Sequence, residues 1–178
     1  EMFDKLGWIY FKAENYDLFY PGYGDSYPSL RGAVGMTYEM AGGGRGGLAL
    51  ELPDGTRLTL ADRVARHLTT SLATLRTASA NGRRLLEDFV ANRLKAASEP
   101  RTYLWSGEQQ EARALADLLV LHGIRVHQTT QAADVSAKNL SSDVDSAAAL
   151  KRFPAATYVV STTQPLGNLV EALMEREA

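Results

Sequence analysis

From Thr102 onward the apolar residues change period twice before His127, and that alternation constrains the fold more than any other stretch of the chain. Thr102-Tyr-Leu-Trp105 is a short run of strand-forming residues. Ala112, Leu115, Leu118 and Leu119 then recur at helical spacing, and Ile124-Arg-Val-His127 reads as a second strand. Gly123 stands where a helix ends on a left-handed residue. A strand, helix and strand of these lengths predict a βαβ unit with parallel pairing and a right-handed crossover. Residues 128–151 are polar and small, with Ser141-Ser-Asp-Val-Asp-Ser146 the expected loop. A third strand follows at Thr157-Tyr-Val-Val-Ser161. Pro165 then sits in the first turn of an expected last helix bearing Leu166, Leu169, Val170, Leu173 and Met174.

Ser98-Glu-Pro100 marks the expected boundary, giving one region over 1–98 and a parallel α/β region over 99–178. Before it, Leu48 to Leu52 forms a short apolar run and Pro53-Asp-Gly-Thr56 a turn. Thr59 and Asp62 have the spacing of a capping box, where each side chain satisfies the other residue's backbone N–H. Leu60, Val64, Leu68, Leu72 and Leu75 then form a stripe that should face a core, with His67 partly buried beside it. Asn81-Gly82 interrupts the pattern before Leu85, Leu86, Phe89, Val90 and Leu94 begin a second helix. The fold class is α/β throughout.

The upstream stretch carries the chemistry. Tyr20-Pro-Gly-Tyr-Gly-Asp-Ser-Tyr-Pro28 precedes Gly32-Ala-Val-Gly-Met-Thr-Tyr-Glu-Met-Ala41. Val34, Met36 and Tyr38 alternate with smaller residues as in a strand, which the glycines from Gly42 to Gly47 end. Glu39 is thus expected at a strand's C-terminal end beside a loop, where α/β proteins place ligand-handling groups. On position alone, Glu39 reads rather as an edge carboxylate paired with Arg31 or Arg45.

Residues 16–41, and the Pro-Gly-Tyr-Gly-Asp-Ser and Gly-Met-Thr-Tyr-Glu wording above all, resemble the last part of the catalytic domain of zinc carboxypeptidases of the carboxypeptidase A-like class, in a bacterial branch. The resemblance implies the end of a mixed sheet with packing helices, Leu60 to Ala78 being one that packs on it. It implies hydrolysis of C-terminal peptide bonds of a peptide or protein substrate. Glu39 would be the general base that takes a proton from the attacking water. Tyr20, or else Tyr23, would be the mobile tyrosine that closes over the substrate. Secretion or a periplasmic location is common among such relatives.

The same resemblance implies zinc, yet the ligand motif His-x-x-Glu is not in the chain. His67, His122 and His127 have Thr70, Arg125 and Thr130 three residues on. With no cysteine and no histidine pair at ligand spacing, no metal site is expected here. The chain therefore reads as an internal piece of a larger enzyme whose zinc ligands and carboxylate-gripping arginines lie upstream of Glu1.

Residues 99–178 more loosely resemble the flavodoxin-like or amidotransferase-like domain that follows the peptidase domain in that branch, on Phe153-Pro-Ala155 and Gln164-Pro-Leu-Gly167. Neither a cysteine nor a Gly-x-Ser-x-Gly elbow supplies a nucleophile there. Packing against the first region or helping to choose substrates are its two candidate roles, and His127 is expected to be a surface histidine.

Gly42, Gly44 and Gly47 satisfy Gly-x-Gly-x-x-Gly, but an extended run follows where a dinucleotide site needs a helix. A glycosidase pair of Glu39 with Glu51 has nothing to fix its separation. A net charge of −2 gives no electrostatic reason for a nucleic-acid partner, and no span long enough for a membrane is present. The competing function is a non-catalytic module in which Glu39 and the tyrosine-rich loop bind a peptide or glycan.

Overall fold

The computed structural model describes residues 2–12, 20–40, 48–52, 54–96, 100–106, 110–140 and 147–175. In chain order these form α1 (Met2–Lys5), α2 (Ser26–Leu30), β1 (Ala49–Glu51), β2 (Arg57–Thr59), α3 (Leu60–Ala80), α4 (Gly82–Ala96), β3 (Thr102–Trp105), α5 (Gln110–Leu121), β4 (Val126–Gln128), β5 (Ala133–Ala137), β6 (Ala149–Phe153), β7 (Tyr158–Ser161) and α6 (Gly167–Met174). The chain folds as two compact units, 1–17 with 36–87 and 18–35 with 88–178, so that α4 crosses from one to the other. The division differs from a cut at 98/99 in grouping the Tyr20–Ser26 loop with the C-terminal residues.

In the first unit β1 and β2 form an antiparallel hairpin, with Leu50 opposite Leu58. Its turn is closed by Asp54, whose carboxylate accepts from the Thr56 N–H at 2.9 Å and the Thr56 hydroxyl at 2.6 Å. Those two bonds hold Asp54 below the usual carboxylate range. Gly55 takes φ +81, a conformation that side chains with a Cβ resist. The expected capping box is present at the start of α3: Asp62 N–H donates to Thr59 Oγ1 at 3.1 Å and Thr59 N–H to Asp62 Oδ2 at 2.9 Å.

The leucine stripe does not face a core. Leu60, Val64, Leu68, Leu72 and Leu75 are 42–66% exposed, and His67 is exposed with them. The covered side of α3 carries Arg63, Arg66, Thr70 and Thr74. Arg66 lies over the Trp8 ring at 5.3 Å, and Thr74 bonds the Tyr38 hydroxyl at 2.9 Å. The polar face is held by these two directional contacts, whereas the leucines need an apolar surface opposite them.

The second unit is built on a three-stranded sheet in the order β3-β7-β4. Both ladders are antiparallel, Tyr103 opposite Val160 and Val126 opposite Val160, which corrects the expectation of a parallel, flavodoxin-like region. Since β3 and β4 each run against β7, they share a direction, as the strand–helix–strand reading required. What overturned the parallel pairing is the third strand, which inserts between them. Val159 and Val160 make β7 the strand best able to fill a position with neighbours on both sides. β5 and β6 form a separate antiparallel hairpin, with Asp134 opposite Arg152 and their side chains paired at 2.8 Å.

Leu119, Ile124, Val160, Leu166, Leu169 and Val170 form the core, and Tyr27 and Leu30 of α2 pack against it. The end of α5 is set by Gly123 at φ +81. Its N–H reaches Val120 O, the Ile124 N–H reaches Leu119 O, and the two residues of that second bond meet in the core. No described helix is long and apolar enough to cross a membrane.

Candidate functional site

Residues 34–40 form no strand, against the expectation for Val34 to Tyr38. Val34, Met36 and Tyr38 are exposed by 66%, 48% and 42%, and among the described residues none pairs with them in a ladder. A strand exists only where a neighbour takes its backbone groups, and here the Tyr38 hydroxyl anchors the segment to Thr74 instead. Glu39, next to that anchor, is exposed. Arg31 is engaged elsewhere, while Arg45 and the glycines of 42–47 lie outside the described residues.

Tyr20 and Tyr23 come together in the second unit. Their rings meet edge to face at 5.4 Å, and both are exposed, by 56% and 45%. The Tyr23 N–H donates to Tyr20 O at 3.1 Å, closing a turn. Gly22 sits inside it, where a Cβ would stand 2.5 Å from the Tyr20 ring. Glu39 belongs to the first unit, so the boundary at 35/36 runs through the candidate constellation.

Immediately after the tyrosine turn, Asp25 caps α2 by accepting from the Ser26 N–H at 2.8 Å. Ser29 Oγ donates to Asp25 O at 2.8 Å and accepts from the Gly35 N–H at 3.2 Å. A Cβ on Gly35 would lie 1.9 Å from Asp25 O, so the backbone approach needs glycine.

A cluster that sequence reasoning missed lies one turn further along. Tyr27 Oη is 2.7 Å from His122 Nδ1, and Arg31 Nη1 donates to Tyr27 Oη and to His122 O, each at 3.1 Å. The tyrosine oxygen accepts from arginine, and Tyr27 Oη and His122 Nδ1 share one hydrogen bond whose donor is set by the imidazole tautomer. Arg93 lies over the Phe89 ring at 4.3 Å and donates to Arg31 O at 2.9 Å. The spacing of Tyr27 and Arg31 by one helical turn was visible in the sequence. Nothing in it points 95 residues on to His122.

Among the described residues no three of His, Cys, Asp and Glu converge as a metal would require, and His122 Nδ1 is taken by Tyr27. His127 is exposed on β4 and His67 on α3. The described residues therefore do not fit a resident zinc. Glu51 is exposed at the end of β1, opposite Arg57. No protein-family model matches the chain, and neither a curated protein nor a solved structure does.

Proposed function

We propose that the chain is part of a carboxypeptidase-like hydrolase that removes residues from the C-terminus of a peptide or protein. Glu39 is its proton-accepting carboxylate, and Tyr20 or Tyr23 is the residue that closes over the substrate. In this reading the protein is zinc-dependent, and its metal ligands lie in polypeptide upstream of Glu1. The reading is carried by the wording of residues 16–41. Its physical support is the presentation of the groups: Glu39 is exposed beside the Tyr38–Thr74 anchor, and the tyrosines are exposed as a pair.

The second reading, a non-catalytic peptide- or glycan-binding module, draws on the same exposed tyrosine pair, since aromatic faces bind such ligands without chemistry. Two measurements on the polypeptide extended upstream separate them: zinc content by elemental analysis, and release of C-terminal residues from a peptide panel. About one zinc per chain with release lost in Glu39→Gln supports the hydrolase. A folded, zinc-free sample that binds peptides without cleaving them supports the module.

A further inference from the structure

We propose that His122, with Arg31, is a positioning residue for the Tyr20–Tyr23 loop, so that the C-terminal α/β unit sets how that loop meets substrate. The inference rests on the functional reading above for what the loop does, and on contacts within the second unit for how it is held.

The contacts form a continuous chain. His122 stands at the end of α5, in the turn that Gly123 closes. Its ring holds the Tyr27 hydroxyl at 2.7 Å, and the two rings lie 5.4 Å apart. The Tyr27 N–H in turn donates to Tyr23 O at 3.0 Å, and the Tyr23 N–H to Tyr20 O at 3.1 Å. Two backbone bonds therefore join the residue that His122 grips to both candidate substrate-closing tyrosines. Arg31 braces the same point from the other side, bonding Tyr27 Oη and His122 O, and its guanidinium lies 5.6 Å from the Tyr27 ring centre.

The arrangement divides in a way that suits the role. Tyr27 and Leu30 pack on the core with α6, whereas Tyr20 and Tyr23 stand exposed. The tether at Tyr27 holds one end of the loop while both rings stay at the surface. Core packing alone would fix where α2 lies; the Tyr27–His122 bond adds a directional restraint, which apolar contact lacks. Because Tyr27 is half-buried, its hydroxyl loses a partner that water replaces only in part.

The test uses the full chain first. Amide hydrogen exchange is followed by mass spectrometry in the wild type, Tyr27→Phe, His122→Leu and His122→Asn. Asparagine offers an amide donor and acceptor near the Nδ1 position, so it can partner the Tyr27 hydroxyl in either direction. Losing one such bond should speed exchange across residues 20–27 about fivefold in Tyr27→Phe and His122→Leu. Asparagine should restore most of the protection, and β3 and β7 should exchange as in the wild type. Tyr27→Phe keeps the ring in place, so it reports even if His122→Leu folds poorly. Unchanged exchange over 20–27 in Tyr27→Phe overturns the proposal.

Peptidase kinetics on the upstream-extended protein then separate the two claims. A KM raised several-fold in Tyr27→Phe, with kcat changed less, supports positioning. Active variants with wild-type KM and kcat overturn it as a control on substrate. If the wild type itself cleaves nothing while the exchange result holds, the hydrolase reading fails and the tether stands.

Discussion

Gln164 holds the second unit together by acting as a short length of strand, and replacing it should cost far more than its polarity suggests. Its side-chain amide pairs with both backbone groups of Arg125: Oε1 accepts from the Arg125 N–H at 2.8 Å and Nε2 donates to Arg125 O at 3.3 Å. Nε2 also donates to Ser161 O at 2.7 Å, at the end of β7. Gln164 is only 7% exposed, so the groups its amide leaves behind are slow to find water. With about 1 kcal/mol for each of the two short bonds and less for the long one, Gln164→Leu should lose about 2–3 kcal/mol. Gln164→Glu should lose at least as much at neutral pH, because a carboxylate would face two carbonyl oxygens where a donor stood. Burial against those carbonyls raises the folded-state pKa of the introduced carboxyl above its unfolded value. Its deficit relative to wild type is therefore full above the folded pKa and shrinks as pH falls toward the unfolded pKa, where the protonated acid can donate. Urea unfolding in a Trp8→Phe background leaves Trp105 as the sole indole, reporting the second unit through its stacking on Tyr158 at 5.4 Å and its bond to Ala112 O. A loss below about 0.5 kcal/mol at unchanged m in Gln164→Leu would refute the argument that this amide substitutes for a strand.

Other expected outcomes come from single contacts. Leu169 is wholly buried, and Leu169→Ala should lower second-unit stability by about 2–5 kcal/mol in the same urea assay. Ala156 takes φ +62, which glycine adopts freely, so Ala156→Gly should stabilise by about 0.5–1 kcal/mol and raise the melting midpoint. Thr59→Ala removes the cap of α3 and should cost about 1 kcal/mol of helix stability, read by circular dichroism during urea unfolding. Asp62 is held below the usual carboxylate range by the Thr59 hydroxyl first, then the Thr59 N–H and the charge of Arg66. Its contribution is thus full above the unfolded-state pKa and lost as pH falls through the depressed folded value. Thr59→Ala should flatten that acid dependence, and an unchanged profile would count against the capping box as its source.

Local signals were legible in the sequence wherever the physics is local. Thr59 with Asp62, the Asp54-Gly55 turn, Gly123 as the end of α5 and the Leu169–Met174 face of α6 each depend on neighbours within a few residues, and each is found, although α6 starts at Gly167 and leaves Pro165 and Leu166 ahead of its first turn. Pairing is not local. Nothing in Thr102–Trp105 or Val126–Gln128 says that Tyr158–Ser161 will come between them, because a buried strand of valines suits parallel or antiparallel neighbours. Val34, Met36 and Tyr38 alternate as a strand does, yet alternation supplies no partner. For the candidate site, the sequence singled out Glu39, Tyr20 and Tyr23 by their wording. In the Tyr27–His122–Arg31 cluster only the Tyr27–Arg31 spacing is local, and the approach of His122 is a product of the tertiary fold.

The place of β7 at the centre of its sheet carries a consequence for how the unit is made. Ribosomes deliver β3 and β4 long before the strand that joins them; Arg101 and Thr162, which bond at its edge, are 61 residues apart. Until Ser161 emerges, β3 and β4 each lack the strand that both pair with. Assembly must therefore wait for a long loop to close, which slows folding and leaves two sticky edges exposed meanwhile. A nascent chain arrested before Thr157 should be a client for chaperones, and one arrested well past α6 should not.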